Sequence, residues 1–126
     1  MTEHKPVQLL DGSSVVLAIV RPSGACDTQE FLRSLNFRFL ARYQRYLEYL
    51  RDGVLIKSPE NFRRLSLPGS AAVVFEIKVD KYRLYIVRFR SAWYATHGRV
   101  KPKDNQVNQE IKKALEIFWE GIGDVS

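Results

Sequence analysis

The sequence predicts an α+β domain: a mostly antiparallel, twisted sheet of about four strands, two N-terminal helices packed on one face, and a C-terminal helix. Three observations carry this. Residues 72–79 and 82–90 read as strands joined by the two-residue link Asp80–Lys81. Residues 37–51 repeat apolar side chains at helical spacing, and so do residues 106–119.

Taken in order, residues 1–13 read as a flexible tail ending in the turn Asp11-Gly12-Ser13. Val15–Val20 is an unbroken apolar run, the pattern of a strand buried on both faces. Arg21-Pro22-Ser23-Gly24 closes it. Asp27 with Glu30 has capping-box spacing, so a short helix is expected over 28–35. The next helix places Phe39, Leu40, Tyr43, Tyr46, Leu47 and Leu50 on one stripe, and Gly53 suits its C-terminus. Residues 57–69 read mainly as loop, with a turn of helix over 62–65. A third strand of the meander is expected over 92–98, followed by a polar, basic loop over 98–105. Val107, Ile111, Leu115 and Phe118 keep helical spacing in the closing helix, which Gly121 and Gly123 end. The whole chain, 1–126, reads as one domain, without internal repeats.

Composition narrows the function. A chain of 126 residues with 45% apolar content can bury a core. Its net charge of +6 favours a polyanionic partner, nucleic acid or an anionic membrane surface. The plain alternative is a generically basic protein. Cys26 is the one cysteine, which excludes an intramolecular disulfide. His4 and His97 lie far apart, and no Cys/His cluster has zinc-ligand spacing, so no metal or other cofactor is expected. No signal-peptide pattern opens the chain, and no run reaches the roughly 18 apolar residues that cross a bilayer. A cytoplasmic protein that avoids membranes is expected.

The hairpin carries the functional signal. A two-residue link pairs position 79 with 82, 78 with 83 and 77 with 84. Lys78 and Arg83 then stand directly opposed, with Cβ atoms about 4.5–5.5 Å apart, where like charges repel. An anion between them removes the conflict, which points to a phosphate-binding surface. Val73, Phe75, Ile77 and Val79 would meet the helices on one side. Glu76, Lys78, Arg83 and Tyr85 share the other. The bland reading is a solvated sheet on which Glu76 pairs with the two cations. Exposed ion pairs contribute only about 0–1 kcal/mol, so stability does not decide between the two.

Several segments resemble one family. Gln29-Glu30-Phe31-Leu32-Arg33-Ser34-Leu35 resembles the EFLxSL opening of the first helix in phage-derived HigB-type toxins of the RelE/ParE superfamily. Phe62-Arg63-Arg64-Leu65 is similar to the segment before their central strands. Phe75-Glu76-Ile77-Lys78 and Tyr82-Arg83-Leu84 resemble their Y-E-L-R and Y-R-V/L strands. The run from His97 to Asp104 resembles their H-G-F-x-K-K-T loop, with Arg99 in place of the aromatic, Pro102 of a lysine and Asp104 of a small hydroxyl residue. Gln109-Glu110-Ile111-Lys112-Lys113-Ala114 resembles the R-E-I-x-x-A start of their last helix. The likeness spans roughly residues 15–119. It implies a RelE-like fold and a type II toxin that cuts mRNA in the ribosomal decoding site. It implies a cognate antitoxin as partner, in complexes up to a heterotetramer. The implied chemistry needs no metal: the ribose 2′-OH attacks the adjacent phosphate, leaving a 2′,3′-cyclic phosphate and a free 5′-OH.

That reaction asks for cations around the phosphate, a base and an acid. Arg83 is the first candidate for the phosphate clamp, because guanidinium binds phosphate bidentately. Lys78 is a second cation and a proton donor if Arg83 depresses its pKa. Lys101 and Lys103, on the basic loop, would bind substrate or share in proton transfer. His97 is the best acid–base group by intrinsic pKa. An even loop after Phe89 sends it to the core beside Leu84; an odd loop or a bulge sends it beside Tyr85. Glu76 would orient Arg83 or act as a base, and Tyr85 would stack on a base or pack across strands. Arg99 joins the RNA-binding set. Arg38, Arg42 and Arg45 form one stripe, either a solvated face or a contact for ribosomal RNA or an acidic antitoxin segment. Trp93 and Trp119 read as core or interface residues. Two alternatives stand beside the nuclease: a ParE-like gyrase poison, and a non-catalytic RNA-binding or interaction module.

Overall fold

A computed structural model describes residues 4–66 and 69–123. The chain runs through β1 (Val7–Gln8), β2 (Val16–Ala18), α1 (Asp27–Ser34), α2 (Phe37–Asp52), β3 (Phe62–Arg64), β4 (Ala72–Val79), β5 (Tyr82–Phe89) and β6 (Ala92–Val100). A 3₁₀ turn (Asp104–Gln106) leads into α3 (Val107–Ile122). The strands form one sheet in the order β1-β2-β6-β5-β4-β3.

This corrects the expected fold. The sheet has six strands rather than about four, and it is mixed, because β2 pairs in parallel with β6, Val16 beside Trp93 and Ala18 beside Ala95. Two strands are too short to show a period. β1 has two residues and sits in the segment read as a tail, antiparallel to β2, with Leu9 and Leu10 packed against the core. Residues 1–3 of that tail lie outside the described residues. β3 has three residues and replaces the expected turn of helix, pairing antiparallel with β4. Residues 67–68 of the expected loop also lie outside the description.

The helices divide between the two faces instead of sharing one. Tyr43 and Leu47 of α2 and Leu35 after α1 cluster with Ile77, Val79, Leu84 and Ile86. Ala114, Ile117 and Phe118 of α3 cluster with Val74, Tyr85 and Val87 on the opposite face. The face that carries Glu76, Lys78, Arg83 and Tyr85 is therefore partly covered by α3. The buried stripe of α3 is Glu110, Ala114, Ile117 and Phe118, one position away from the expected one. The difference puts a carboxylate under the helix.

The helix ends follow local chemistry. Asp27 does not cap α1. It takes a bidentate ion pair from Arg21, at 3.0 and 2.9 Å, and Cys26 occupies the cap position. Asn36 caps α2 by accepting from the backbone of Arg38 and Phe39, and Gly53 closes it at φ 72°. Among the described residues no helix is long and apolar enough to cross a membrane.

Gly98 lets α1 close on the sheet. A Cβ there would lie 2.2 Å from the Phe31 ring, which packs edge-on against Tyr43 and Tyr82. Gly98→Ala is expected to cost about 1–3 kcal/mol in denaturant unfolding, as overpacking does. Unchanged stability would mean that the Phe31 ring has free space to swing into.

Candidate functional site

Strand register assembles the site. Across four strands, Arg63, Glu76, Tyr85 and His97 stand opposite one another in a row. The next row is Lys78, Arg83 and Arg99. The hairpin pairs as its two-residue link requires, 79 with 82 and 78 with 83. The placement of His97 and Arg99 has a different cause. The loop after Phe89 is even and pairs Phe89 with Ala92, but an irregularity between Tyr85 and Ile86 gives β6 one extra residue, Thr96. That bulge turns His97 and Arg99 onto the face of Tyr85 and Arg83.

Three cations thus stand abreast, and carboxylates hold them. Glu76 is 3% exposed and is the hub. Its Oε2 lies 2.8 Å from Arg63 Nε and 4.0 Å from Lys78 Nζ, and its Oε1 lies 3.8 Å from Arg83 Nε. The Arg63 contact is short but not aligned as a hydrogen bond, so Glu76 Oε2 has ionic neighbours and no donor among the described residues. Arg83 Nη1 donates to the carbonyls of Asp80 and Tyr82, which fixes the guanidinium at the turn. Arg99 Nη1 donates to Glu110 Oε2 at 2.8 Å.

A pocket of about 100 Å³ opens between β3, β4, β5 and the 3₁₀ turn. Its charged lining is Arg63, Lys78, Arg83 and Lys101 against Glu76 and Asp104, an excess of two positive charges. A space this small suits a single phosphate group rather than a drug-sized ligand, which takes about 300 Å³ or more. Burial pulls the Lys78 pKa below its ordinary value, and Arg63, Arg83 and Lys101 add to the fall against the pull of Glu76. Lys78 is therefore a readier proton donor than a free lysine.

Behind the pocket lies a buried relay. His97 is 2% exposed and stacks on Tyr85 at 4.7 Å. Its Nε2 is 2.9 Å from Glu110 Oε1 and its Nδ1 is 3.0 Å from Thr96 Oγ1. Burial holds its pKa below the ordinary value, against the hydrogen bond to Glu110. The network fits a neutral ring that donates from Nε2 and accepts at Nδ1. Tyr85 is fully buried, its hydroxyl has no partner among the described residues, and burial with the nearby Glu76 and Glu110 raises its pKa.

The structure thus brings Glu76, Lys78, Arg83 and Lys101 to one pocket, with Arg99 beside Arg83. Tyr85 and His97 lie in the layer beneath, away from solvent. Lys103 is exposed at the start of the 3₁₀ turn and does not line the pocket. Arg38, Arg42 and Arg45 are exposed on α2, and the sheet separates them from the pocket. Sequence reasoning missed Arg63 and Asp104 as pocket residues and Glu110 as an anchor. A three-residue strand leaves no signal for Arg63. Glu110 was findable, as the charged member of the set 110, 114, 117 and 118 at helical spacing. Comparison with protein-family models, with curated proteins and with solved structures finds no match to this chain.

Proposed function

We propose that the protein is a toxin of a type II toxin–antitoxin pair that works in the cytoplasm as a metal-independent, ribosome-dependent mRNA endoribonuclease. The observation that carries the reading is the convergence of Arg63, Lys78, Arg83 and Lys101 on one phosphate-sized pocket. The motif resemblance adds the ribosome and the antitoxin.

In this reading Arg83 and its neighbours hold the scissile phosphate and offset the charge that builds on it. The 2′-hydroxyl oxygen forms its bond to phosphorus as the bond to the 5′-oxygen breaks. Asp104 is the exposed carboxylate of the pocket and takes the 2′-hydroxyl proton, while Glu76 is buried among cations and orients them. Lys78 gives a proton to the departing 5′-oxygen. His97 positions Arg99 through their shared partner Glu110.

One observation favours the non-catalytic RNA-binding module: the histidine is sealed from solvent, so the pocket lacks an exposed imidazole. Mapping RNA 5′ ends after brief induction, and again with purified ribosomes, separates the readings. Cuts within codons only when ribosomes are present are expected. Intact RNA that is bound but uncut would establish the binding module, and DNA breaks would establish a gyrase poison.

The paired change Lys101→Ala with Lys103→Ala is expected to weaken RNA binding evenly across sequences. It should flatten the slope of log affinity against log salt by about 1.4, two phosphate contacts on a single strand. A loss confined to one codon would assign these lysines to base readout instead.

A further inference from the structure

We infer that the protein has a second binding surface, a groove on the α2 side of the sheet that takes an acidic, apolar segment of a partner protein. The groove holds about 840 Å³, within the range of built ligand sites, and lies between the C-terminal end of α2 and the sheet. Its floor is aromatic. Phe62 and Phe75 stack at 4.8 Å, and Trp93 meets both edge-on at 5.8 and 5.2 Å. Its lip is aliphatic and exposed: Leu55 is 93% exposed and Val54 49%. Apolar side chains left in water beside an apolar groove mark an interaction surface.

Charge selects the occupant. Arg51, Arg64 and Arg88 line the groove, and no carboxylate does. Arg51 is engaged by Asp52, but Arg64 and Arg88 have no carboxylate partner among the described residues. A segment carrying Asp or Glu between apolar anchors meets both features, as in helix-in-groove recognition. A nucleic acid fits less well. The Phe62 and Phe75 faces are spent on each other, the Arg88 guanidinium lies 4.8 Å over the Trp93 ring, and the lip offers aliphatic side chains rather than stacking planes. The groove lies across the sheet from the cation pocket, so the inference stands apart from the nuclease reading.

The test pans a displayed library of random 16-residue peptides against the intact protein. Winners are expected to combine Leu, Phe or Trp with Asp or Glu. Leu55→Asp and Arg88→Glu are each expected to weaken them at least tenfold in fluorescence anisotropy. Leu55 touches little of the core, so Leu55→Asp should keep the wild-type melting curve and RNA cleavage. Absence of binders, basic winners or winners indifferent to both changes would overturn the inference. Displacement of the winners by a short oligouridylate would make the groove a nucleic-acid site and would overturn it as well.

Discussion

Arg83→Ala is expected to lower RNA cleavage by about 10²–10³-fold, the loss seen when one preorganised donor is taken from a developing charge. The side chain is nine-tenths buried at the pocket, flanked by Lys78 on one strand and Arg99 on the other. The backbone carbonyls of Asp80 and Tyr82 fix its Nη1, while Nη2 has no protein partner among the described residues. The substitution also frees those two carbonyls at the turn, where Asp80 has φ 55°. That should cost on the order of 1 kcal/mol in stability, too little to unfold the protein. Arg83→Lys keeps the charge and loses the fork, so its rate should fall between the two. Single-turnover cleavage on programmed ribosomes, beside a denaturant melt of each variant, makes the comparison. Normal cleavage by a folded Arg83→Ala protein would remove Arg83 from the chemistry.

Glu110→Ala is expected to be the most damaging substitution for stability outside the apolar core. The carboxylate accepts from His97 and from Arg99 and is itself 6% exposed. Its removal strands a buried imidazole N–H, which costs about 1–3 kcal/mol. Glu110→Gln retains an acceptor for His97 and should cost less. The same cluster makes the fold acid-sensitive. Burial holds the His97 pKa below the ordinary 6.5. Burial alone would raise that of Glu110, but the hydrogen bond and charge of His97 and the Arg99 guanidinium outweigh it, leaving it below 4.5. With both values lower than in the unfolded chain, the unfolded state binds more protons as pH falls. Stability is therefore full above about pH 6.5 and declines on acidification, by at most about 1.4 kcal/mol per pH unit for each proton. His97→Gln should flatten the first part of that decline, between about pH 7 and pH 5, in urea melts at fixed pH. Identical slopes in the two proteins would show that His97 does not titrate with unfolding.

How far the sequence carried depended on how much each feature rested on local rules. The Lys78–Arg83 pairing was legible because a two-residue link dictates register. α2 was legible because its apolar stripe is long and its Asn36 and Gly53 ends are chemically marked. The sheet was under-read where strands fall below the length at which alternation can be seen, as in β1 and β3, and where β2 joins β6 across most of the chain. The same blindness hid Arg63. The inward face of α3 was misjudged by one position because Glu110, which looks like a surface residue, is buried by its bonds to His97 and Arg99. The side taken by His97 hung on a bulge, which no periodic pattern announces.

Thr96 therefore governs what evolution can do with this strand. Exchanging one side chain of β6 for another alters a single position. Losing a residue between Ala95 and Gly98 would flip every later side chain: His97 and Arg99 would turn toward α1, while Gly98 would leave the gap that admits Phe31. Drift by replacement stays open to descendants of this chain. Drift by insertion or deletion is closed along these few residues, so the strand's length should stay fixed where its letters do not.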